Sequence, residues 1–465
     1  MGFVNRVSEL EALQRWWDAP QARAALVRGR RRVGKTALLQ HFFQDKPVAF
    51  HIGAGRPLRA ELGQLSEQVH AAGLAGDRDL AARPYADWDD ALEHLAQHAA
   101  DAQVLLVLDE FPELIASAPD LPGILRGFLE RTTGRTRLRL LLCGSAVRSM
   151  EALAEEGAPL HGRFDLDLQL QPFRPHEAAL MLPDLAPAEL AVVHGLLGGV
   201  PLYLSWWDAG QDLAGNLARL AGTPGAPLLV EGQLVLATEG AHSEQVAAVL
   251  HAIGAGRTRH SQIKDWLGIE PSRTLERLQE LRLVEQVRPV TDTPVSRQRR
   301  YRIADNFLAF YLGVLSRYRD QIDRGLGESV LPGLIESLDE HLAPAWEEAF
   351  RDYLRLVRAR SELGGDVVAI GPWWTPDRRH EIDAVALAGR DRRPVLVGEA
   401  RWARRQDAHR MLAALRRKAA ALTDEPDALQ YAVAARERVT GLTGDGRPAV
   451  LAVTAEDIFA PDVPA

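Results

Sequence analysis

The sequence predicts an α/β protein whose N-terminal part is a parallel sheet flanked by helices. Three observations predict this fold class. An apolar run at 24–27 leads into a glycine-rich loop and then into a helix-like segment. Two further runs, 104–108 and 138–143, are almost wholly apolar, which is how central strands covered on both faces look. Each of these runs leads into polar residues, and the carboxyl ends of parallel strands are where α/β sheets bind their ligands.

Composition indicates a multidomain globular chain and excludes several classes of protein. The chain has 465 residues, and single hydrophobic cores rarely grow beyond ~250–300 residues, so we expect two to four domains. The net charge of −8 excludes a global basic field, so any contact with nucleic acid must come from a local patch. Cys143 is the only cysteine, which excludes an intrachain disulfide and is typical of a reducing cytoplasm. No run approaches the ~20 apolar residues of a membrane span, and the N-terminus lacks a signal-peptide core, so we expect a cytoplasmic protein without membrane contact.

The glycine-rich loop has the pattern of a phosphate-binding P-loop. It reads Gly29-Arg30-Arg31-Arg32-Val33-Gly34-Lys35-Thr36, and its glycines free the backbone so that N–H groups can surround phosphate oxygens. Lys35 would reach the β- and γ-phosphates of ATP, and the Thr36 hydroxyl would bind Mg²⁺. A chance match is disfavoured, since the chain has only four lysines (Lys35, Lys46, Lys264 and Lys418) among 55 basic residues. The predicted nucleotide-binding residues of the loop are Gly29, Arg32, Val33, Gly34, Lys35, Thr36 and Ala37.

Polar residues after the two later runs complete a predicted site for ATP hydrolysis. Asp109 would hold Mg²⁺ through its water shell, and Glu110 would polarise the attacking water. A water-activating carboxylate beside the metal ligand favours hydrolysis over kinase chemistry. Ser145 could hydrogen-bond the γ-phosphate or the attacking water, whereas Cys143 in the same run is expected to be a core residue.

An arginine further along the chain is a candidate for stabilising charge in the transition state. Arg163 precedes residues 165–170, whose period-two alternation predicts an edge strand. It could act on the nucleotide of its own chain or across a subunit boundary in a homo-oligomer. The alternative is an ordinary surface arginine.

Six motifs follow one another in an order typical of one family. They are an entry segment (Phe3, Asn5, Arg6, Glu9, Leu10), the P-loop, and residues 108–114, 142–145, 160–163 and 198–201. Together they resemble the predominantly archaeal P-loop ATPase family, which is related to AAA+ and STAND ATPases and also occurs in bacteria. The resemblance implies a P-loop NTPase core with an ASCE-type parallel sheet and a small helical lid. It also implies adenine contacts near Val4, Asn5 and Arg6, and Ser145 as the sensor residue.

The entry segment is followed by a predicted amphipathic helix, for which Ser8 is a candidate cap.

Beyond a predicted core at 1–173, the sequence patterns divide the chain into three further parts. Residues 174–235 look helical and form the predicted lid. Residues 236–320 have three short helices and an arginine-rich hairpin, which predicts a winged helix-turn-helix whose third helix would lie in the major groove of DNA. The arginines concerned are Arg273, Arg277 and Arg282 near the third helix and Arg297, Arg299, Arg300 and Arg302 in the hairpin. The alternative is a module that packs between domains or contacts proteins, since Glu276 and Glu280 dilute the charge of the third helix.

Residues 321–465 carry the pattern of a restriction-endonuclease-like α/β domain. Glu347 lies on a predicted helix, Asp383 on a hairpin strand, and Glu399 on the next strand in a Glu-x-basic motif. This layout resembles the PD-(D/E)xK nuclease fold and the C-terminal domain of the same ATPase family, in which such carboxylates bind one or two divalent metal ions. Arg401 stands where that motif usually has lysine. Arginine stays protonated and cannot deprotonate a water, so nuclease activity is doubtful. Metal binding by Glu347, Asp383 and Glu399 could persist, or Arg401 could instead pair with these carboxylates and fill the site.

Three functions are open on these grounds. The first is an ATP-hydrolysing protein that couples nucleotide state to DNA-associated C-terminal domains. The second is an ATP-gated DNA nuclease, and the third is a nucleotide-dependent switch or scaffold that recruits a protein partner. All three use ATP and Mg²⁺, and they differ in whether ATP is turned over and whether DNA is bound or cut.

Overall fold

The computed structural model describes residues 3–238, 243–292, 298–359, 363, 366–441 and 450–460. The chain forms two compact units, Met1–Pro172 and Phe173–Ala465. Within the described parts, none of the helices combines the length and the apolar character that a membrane crossing requires.

The first unit is built on a five-stranded sheet in which every neighbouring pair of strands is parallel. Its strands are β1 (Ala24–Arg28), β2 (Val48–Ile52), β3 (Val104–Asp109), β4 (Leu138–Gly144) and β5 (Leu166–Gln169). The spatial order is β2-β3-β4-β1-β5, so β4 separates the strand before the P-loop from the strand that ends in Asp109. The predicted parallel sheet is confirmed, with the alternating segment as an edge strand.

Helices cover both faces of this sheet because its central strands are apolar on both sides. They are α1 (Val7–Asp18), α2 (Lys35–Phe42), α3 (Leu58–Ala71), α4 (Trp88–His98), α5 (Phe111–Ser117), α6 (Leu121–Arg131) and α7 (Val147–Ala152). Leu106 and Leu108 of β3 pack on one face with residues of α3, α4 and α6. Leu105 and Val107 pack on the other face with residues of α1 and α2. Burial of each such side chain contributes roughly 1.5–3 kcal/mol, so the sheet is a firm base for the loops at its carboxyl edge.

The start of α1 differs from the prediction. Ser8 lies inside the helix, where its hydroxyl donates to Glu9 Oε2 at 2.8 Å. The cap position belongs to Arg6, whose backbone is left-handed (φ 67°), as is that of Asn5 (φ 57°). The prediction of Ser8 as the cap was wrong because these two residues turn the chain into the helix before Ser8 is reached.

The second unit begins with helices, as predicted for 174–235. Its first eight helices are α8 (Pro175–Ala179), α9 (Pro187–Leu197), α10 (Pro201–Ser205), α11 (Leu213–Ala221), α12 (Pro227–Thr238), α13 (Glu244–Gly254), α14 (His260–Leu267) and α15 (Ser272–Glu280). After α15, β6 (Val284–Val287) and β7 (Arg300–Ile303) pair antiparallel. The three helices and the hairpin predicted for 236–320 are therefore present, and their assignment as a winged helix-turn-helix stays a prediction. Arg297, which was predicted to lie in the hairpin, is outside the described residues.

The rest of the second unit packs helices against a mixed sheet. A π-helical turn at Tyr311–Leu315 joins α16 (Asn306–Phe310) to α17 (Ser316–Asp323), which is followed by α18 (Gly327–Glu336) and α19 (Leu338–Ala359). The strands and helices beyond them are β8 (Val367–Trp374), β9 (Glu381–Ala388), β10 (Arg393–Ala400), β11 (Arg405–Asp407), α20 (Ala408–Ala419), β12 (Gln430–Ala434), β13 (Arg438–Thr440), β14 (Val450–Val453) and α21 (Ala455–Ile458). The main sheet has the order β14-β12-β10-β9-β8, antiparallel from β8 to β10 and parallel from β10 to β14. Phe350 of α19 and Leu415 of α20 pack into the clusters on its opposite faces.

Candidate functional sites

The P-loop connects β1 to α2 through a turn that few residues can make. Gly34 has φ 92°, a backbone conformation that residues with a side chain rarely adopt. A Cβ at Gly29 would lie 2.7 Å from the carbonyl oxygen of Leu170, so this loop packs directly on the chain after β5. Arg32 is also left-handed (φ 71°), a conformation that costs of order 1–3 kcal/mol and is typical of functional loops. The turn ends at the N-terminus of α2, where the helix dipole favours a bound anion.

Lys35 holds its ammonium over the P-loop itself. Its Nζ donates to the carbonyl oxygens of Gly29 (2.8 Å) and Arg30 (3.0 Å). Burial lowers the pKa of Lys35, while the nearby carboxylates of Glu110 and Asp109 act in the opposite direction. Lys35 is thus a largely buried cation beside the two carboxylates that the sequence analysis assigned to hydrolysis.

Thr36 and Asp109 meet as the predicted metal site requires. Thr36 Oγ1 donates to Asp109 Oδ2 at 2.8 Å, although the two residues are far apart in the sequence. A hydroxyl and a carboxylate oxygen suit Mg²⁺, a hard cation that takes its remaining ligands from water and nucleotide phosphates. The residues present therefore fit this ion. They would not hold it alone, since the described residues contain no group of three or more His, Cys, Asp or Glu side chains that could bind a metal.

Glu110 and Ser145 also lie together at the carboxyl edge of the sheet. Glu110 follows β3 with a left-handed backbone (φ 47°), and Ser145 follows β4, the strand next to β3. The Ser145 hydroxyl and backbone N–H donate to Glu110 Oε2 at 2.8 and 3.3 Å. Ser145 therefore fixes the orientation of the carboxylate. Its predicted contact with the γ-phosphate or the water stays a prediction.

Cys143 lies beneath these side chains in β4 and is fully buried. Burial raises the pKa of its thiol well above the ordinary value, and the Asp109 carboxylate acts in the same direction. A protonated, enclosed thiol is a poor nucleophile, so the prediction of Cys143 as a core residue is confirmed.

The entry segment supports the P-loop through Arg6. The Arg6 guanidinium donates to the carbonyl oxygens of Val33 (3.0 Å) and Gln171 (2.8 Å) and pairs with Glu9 at 2.8 Å. These contacts tie the start of α1 to the loop and to the chain after β5. The Arg6 side chain is used in bracing the protein, so its predicted adenine contact finds no support, whereas contacts by Val4 and Asn5 stay predictions.

Arg163 lies at the opposite edge of the sheet from the P-loop. It precedes β5, and Asp165 two residues later donates its N–H to the carbonyl oxygen of Ala24, the first residue of β1. The P-loop begins beyond the other end of β1, which at ~3.3 Å per residue is roughly 16 Å away. The Arg163 side chain is 42 % exposed and pairs with Glu130 at 2.6 Å. The structure thus contradicts a role for Arg163 on the nucleotide of its own chain, and the role across a subunit boundary stays a prediction.

In the C-terminal sheet, Glu399 is neutralised by two cations. Arg401 pairs with Glu399 Oε1, as one of the two alternatives for Arg401 predicted. Lys418 of α20 donates to both oxygens of the same carboxylate, at 2.8 and 2.7 Å. Lys418 was not among the predicted site residues, although the rarity of lysine in this chain was a signal that could have found it. Like Lys35, it is one of the four lysines in a chain that otherwise uses arginine.

The other two predicted metal ligands are carboxylates whose charge is disfavoured. Burial and the neighbouring Asp383 carboxylate raise the pKa of Glu347 to about 8. Burial and the Glu399 carboxylate raise the pKa of Asp383 to about 6, although the Ala400 N–H donates to Asp383 Oδ2 at 2.9 Å. The three side chains are therefore neighbours, but among the described residues they do not form a group of three that could hold a metal ion. With both Glu399 oxygens taken by cations, the residues do not fit a metal ion in this arrangement.

The arginines of the predicted wing are engaged within the second unit. Arg300 forms a two-pronged pair with Glu381 and lies 4.1 Å from the centre of the Trp374 ring. Arg302 pairs with Glu285 (2.7 Å) and with Glu348 of α19 (2.6 Å). These contacts fasten β7 to α19 and to the C-terminal sheet. They agree with the alternative in which this module packs between domains, and they leave these two arginines poorly placed for DNA.

The fold and the first site together define a class of protein. A parallel sheet carries a P-loop after β1, a carboxylate pair after β3 and a polar residue after the intervening β4, which is the arrangement of a P-loop ATPase domain. Residues 3–205 match the family described as the ATPase domain predominantly from Archaea. Residues 311–411 match a second family, described as Archaea bacterial proteins of unknown function.

The chain is also similar to individual proteins. The chain is 25 % identical over 410 residues to the uncharacterized protein MJECL04 of Methanocaldococcus jannaschii, covering 86 % of this chain and 87 % of that protein. It is 48 % identical over 46 residues to the uncharacterized ATP-binding protein MJ0423 of the same organism, covering 10 % of this chain and 78 % of that protein. Among solved structures, the Walker-type ATPase PABY2304 of Pyrococcus abyssi is similar in fold, with a TM-score of 0.53 and 18 % identity over 67 % of this chain and 96 % of that one.

Proposed function

We propose that this protein hydrolyses ATP with Mg²⁺ at the site formed by the P-loop and the ends of β3 and β4. One observation carries the proposal. The fold brings Lys35, Thr36, Asp109, Glu110 and Ser145 to one edge of one sheet, from three separate stretches of sequence. Phosphoryl transfer needs positioning and charge stabilisation more than covalent chemistry, and these side chains supply both.

Each residue has a distinct part in the proposed reaction. Lys35 binds the β- and γ-phosphates. The Thr36 hydroxyl and Asp109 would hold Mg²⁺, which would supply positive charge to the phosphates. Glu110 accepts a hydrogen bond from the attacking water and turns the water oxygen toward the γ-phosphorus. Ser145 holds Glu110 in the orientation that this requires.

The test of this function is phosphate release by the wild-type chain and by a Lys35→Ala variant. We expect turnover that requires Mg²⁺ and is lost in the variant, because Lys35 supplies the ammonium that lies over the loop. Binding of ATP by the wild type without turnover would contradict hydrolysis and favour the switch or scaffold function.

We further propose that the C-terminal domain, rather than the wing, makes the contact with DNA. Residues 401–418 contain seven basic side chains and one acidic one, Asp407, although the whole chain has a net charge of −8. Six of the seven are exposed. Arg401 pairs with Glu399 and Arg404 with Glu437, whereas the described residues form no ion pair with the other four, Arg405, Arg410, Arg416 and Arg417. Such a patch suits phosphate backbones without reading sequence, and its affinity for DNA would fall steeply with salt.

DNA cleavage by this domain is the second candidate function, and Lys418 is the observation that favours it. In the nuclease motif a lysine stands beside the strand glutamate. Here that position holds Arg401, but Lys418 brings an ammonium to Glu399 from α20 instead. The combined pairing of Arg401 and Lys418 with this carboxylate opposes this function, because together they occupy both oxygens of Glu399.

One experiment separates DNA binding from DNA cleavage. Wild-type protein, Glu399→Gln and Lys418→Ala are incubated with plasmid, linear and single-stranded DNA in Mg²⁺ or Mn²⁺, and binding is measured at two salt concentrations. We expect salt-sensitive binding by all three proteins and no cleavage. Cleavage by the wild type that both variants lose would overturn this expectation and establish the nuclease.

A further inference from the structure

Arg31 is an arginine of the P-loop for which the described residues provide no partner. It is exposed, and among the residues that the structure describes none accepts a hydrogen bond from its guanidinium or forms an ion pair with it. Two other arginines near the loop have carboxylate partners. Arg28 pairs with Glu151 (2.6 Å) and Asp167 (2.9 Å), and Arg6 pairs with Glu9. Arg31 therefore stands out as an uncompensated cation in the middle of the loop.

The charge of Arg31 lies close to Lys35. Burial, and to a smaller extent the nearby Arg31, lowers the pKa of the Lys35 ammonium. Two neighbouring cations that repel each other cost free energy unless an anion lies between them. In the part of the chain that the structure describes, carboxylates pair with Arg28 and Arg6 but not with Arg31. This pattern is what a site for a polyphosphate requires, since the ligand brings the missing negative charge.

We propose that Arg31 is a further catalytic residue, whose guanidinium binds the γ-phosphate of ATP held by the same chain. This inference rests on the proposed ATP hydrolysis. In the reaction the water oxygen forms a bond to the γ-phosphorus, and the bond from that phosphorus to the β–γ bridging oxygen breaks. ADP leaves with the electron pair, and the water proton passes to the phosphate formed. Arg31 exchanges no atom and stabilises the charge on the γ-phosphate oxygens, as an arginine supplied in cis does in other nucleotide hydrolases.

The position of Arg163 allows the proposed role of Arg31 to be tested against the alternative, in which Arg163 stabilises the charge. Arg163 lies at the far edge of the sheet and can reach a nucleotide only in a neighbouring copy. An arginine acting in cis makes turnover per chain independent of protein concentration. An arginine acting in trans makes turnover rise with concentration as copies associate.

The experiment measures ATP affinity, ADP affinity and kcat for five proteins over a 100-fold range of protein concentration. They are the wild type, Arg31→Ala, Arg31→Lys, Arg163→Ala and the control Arg15→Ala, whose side chain is 73 % exposed on α1. For Arg31→Ala we expect unchanged ADP affinity, ATP binding weakened by about tenfold, and kcat reduced by about 10³-fold. For Arg31→Lys we expect part of the ATP affinity and part of kcat to be retained, because the positive charge remains. Arg163→Ala and Arg15→Ala behave as the wild type, and turnover per chain does not change with concentration.

Three results would overturn the inference. They are wild-type turnover in Arg31→Ala, an equal loss of ATP and ADP affinity in that variant, or turnover that rises with concentration and disappears in Arg163→Ala. Failure of the proposed function is distinguishable from these. A wild type that binds ATP without hydrolysing it refutes hydrolysis, while selective loss of ATP affinity in Arg31→Ala still supports the γ-phosphate contact.

Discussion

Replacing Glu110 with glutamine is expected to stop ATP hydrolysis while leaving ATP binding intact. The amide keeps the size of the carboxylate and can still accept the hydrogen bond from Ser145, so the local structure survives. It cannot polarise the attacking water as a carboxylate does. Loss of such a group lowers rates by about 10²–10⁴-fold, so we expect kcat to fall within this range. The measurement is kcat for phosphate release together with the equilibrium affinity for ATP.

Glu113 provides the matched control for this variant. It is an exposed glutamate in the first turn of α5, three residues beyond Glu110. Glu113→Gln removes the same charge from the same edge of the sheet without touching the proposed water. We expect wild-type turnover in this control. Similar losses of turnover in both variants would show that net charge, rather than the position of Glu110, sets the rate.

Replacing Glu348 with glutamine is expected to destabilise the second unit strongly. Its carboxylate is the shared partner of Arg302 (2.6 Å), Arg351 (2.9 Å) and Arg355 (2.8 Å). Arg351 is almost fully buried and also donates to the carbonyl oxygen of Asp383 at 2.6 Å. Removal of one partner from a buried ion pair costs about 3–5 kcal/mol, because the remaining charge cannot be solvated. We expect a loss toward the lower end of this range, since the Glu348 side chain is 25 % exposed. Chemical denaturation gives the change in the free energy of unfolding.

The adjacent Glu347 gives a control with the opposite dependence on pH. Burial alone would raise the pKa of Glu348, but Arg351, Arg302 and Arg355 lower it below the ordinary value of 4.5. Its stabilising effect is therefore present at neutral pH and is lost as the pH falls below that value. The pKa of Glu347 is raised to about 8, so its contribution is complete below pH 4.5 and is lost as the pH rises toward 8.

The opposite pKa shifts of Glu347 and Glu348 predict how the stability of the two variants differs from that of the wild type across pH. Glu347→Gln gains stability relative to the wild type between pH 5 and pH 8, measured with a chelator present. Glu348→Gln is destabilised throughout this range, and its deficit shrinks only in acid. The same pH dependence in both variants would contradict the ion-pair arrangement described for α19.

The first unit was largely predictable because its signals are local in the sequence. The apolar runs of β3 and β4 predicted strands buried on both faces, and the P-loop pattern predicted the turn before α2. The polar residues after these strands had to meet because parallel strands share one carboxyl edge. The hydrogen bonds between Thr36 and Asp109 and between Ser145 and Glu110 are the contacts that result from this shared edge.

The missed contacts depend on packing between elements that no local pattern connects. Lys418 reaches Glu399 only because α20 folds back across the sheet after β10. Arg302 meets Glu348 only because β7 packs on α19. Arg163 likewise lies at the edge opposite the P-loop because of the direction in which β5 runs. The motif at 160–163 does not reveal that direction. For the entry segment, the left-handed backbone of Asn5 and Arg6 replaced the serine cap that the residue pattern predicted.

The most direct test of the ATPase site compares two of the four lysines in this chain. Lys35→Ala removes the ammonium at the P-loop, whereas Lys264→Ala removes an exposed lysine of α14 that pairs with Glu270 at 3.0 Å. Far-UV circular dichroism verifies that both variants are folded, and phosphate release is then measured with Mg²⁺ and with a chelator. The proposed site predicts Mg²⁺-dependent turnover in the wild type and in Lys264→Ala and none in Lys35→Ala. Equal turnover in both variants would contradict it.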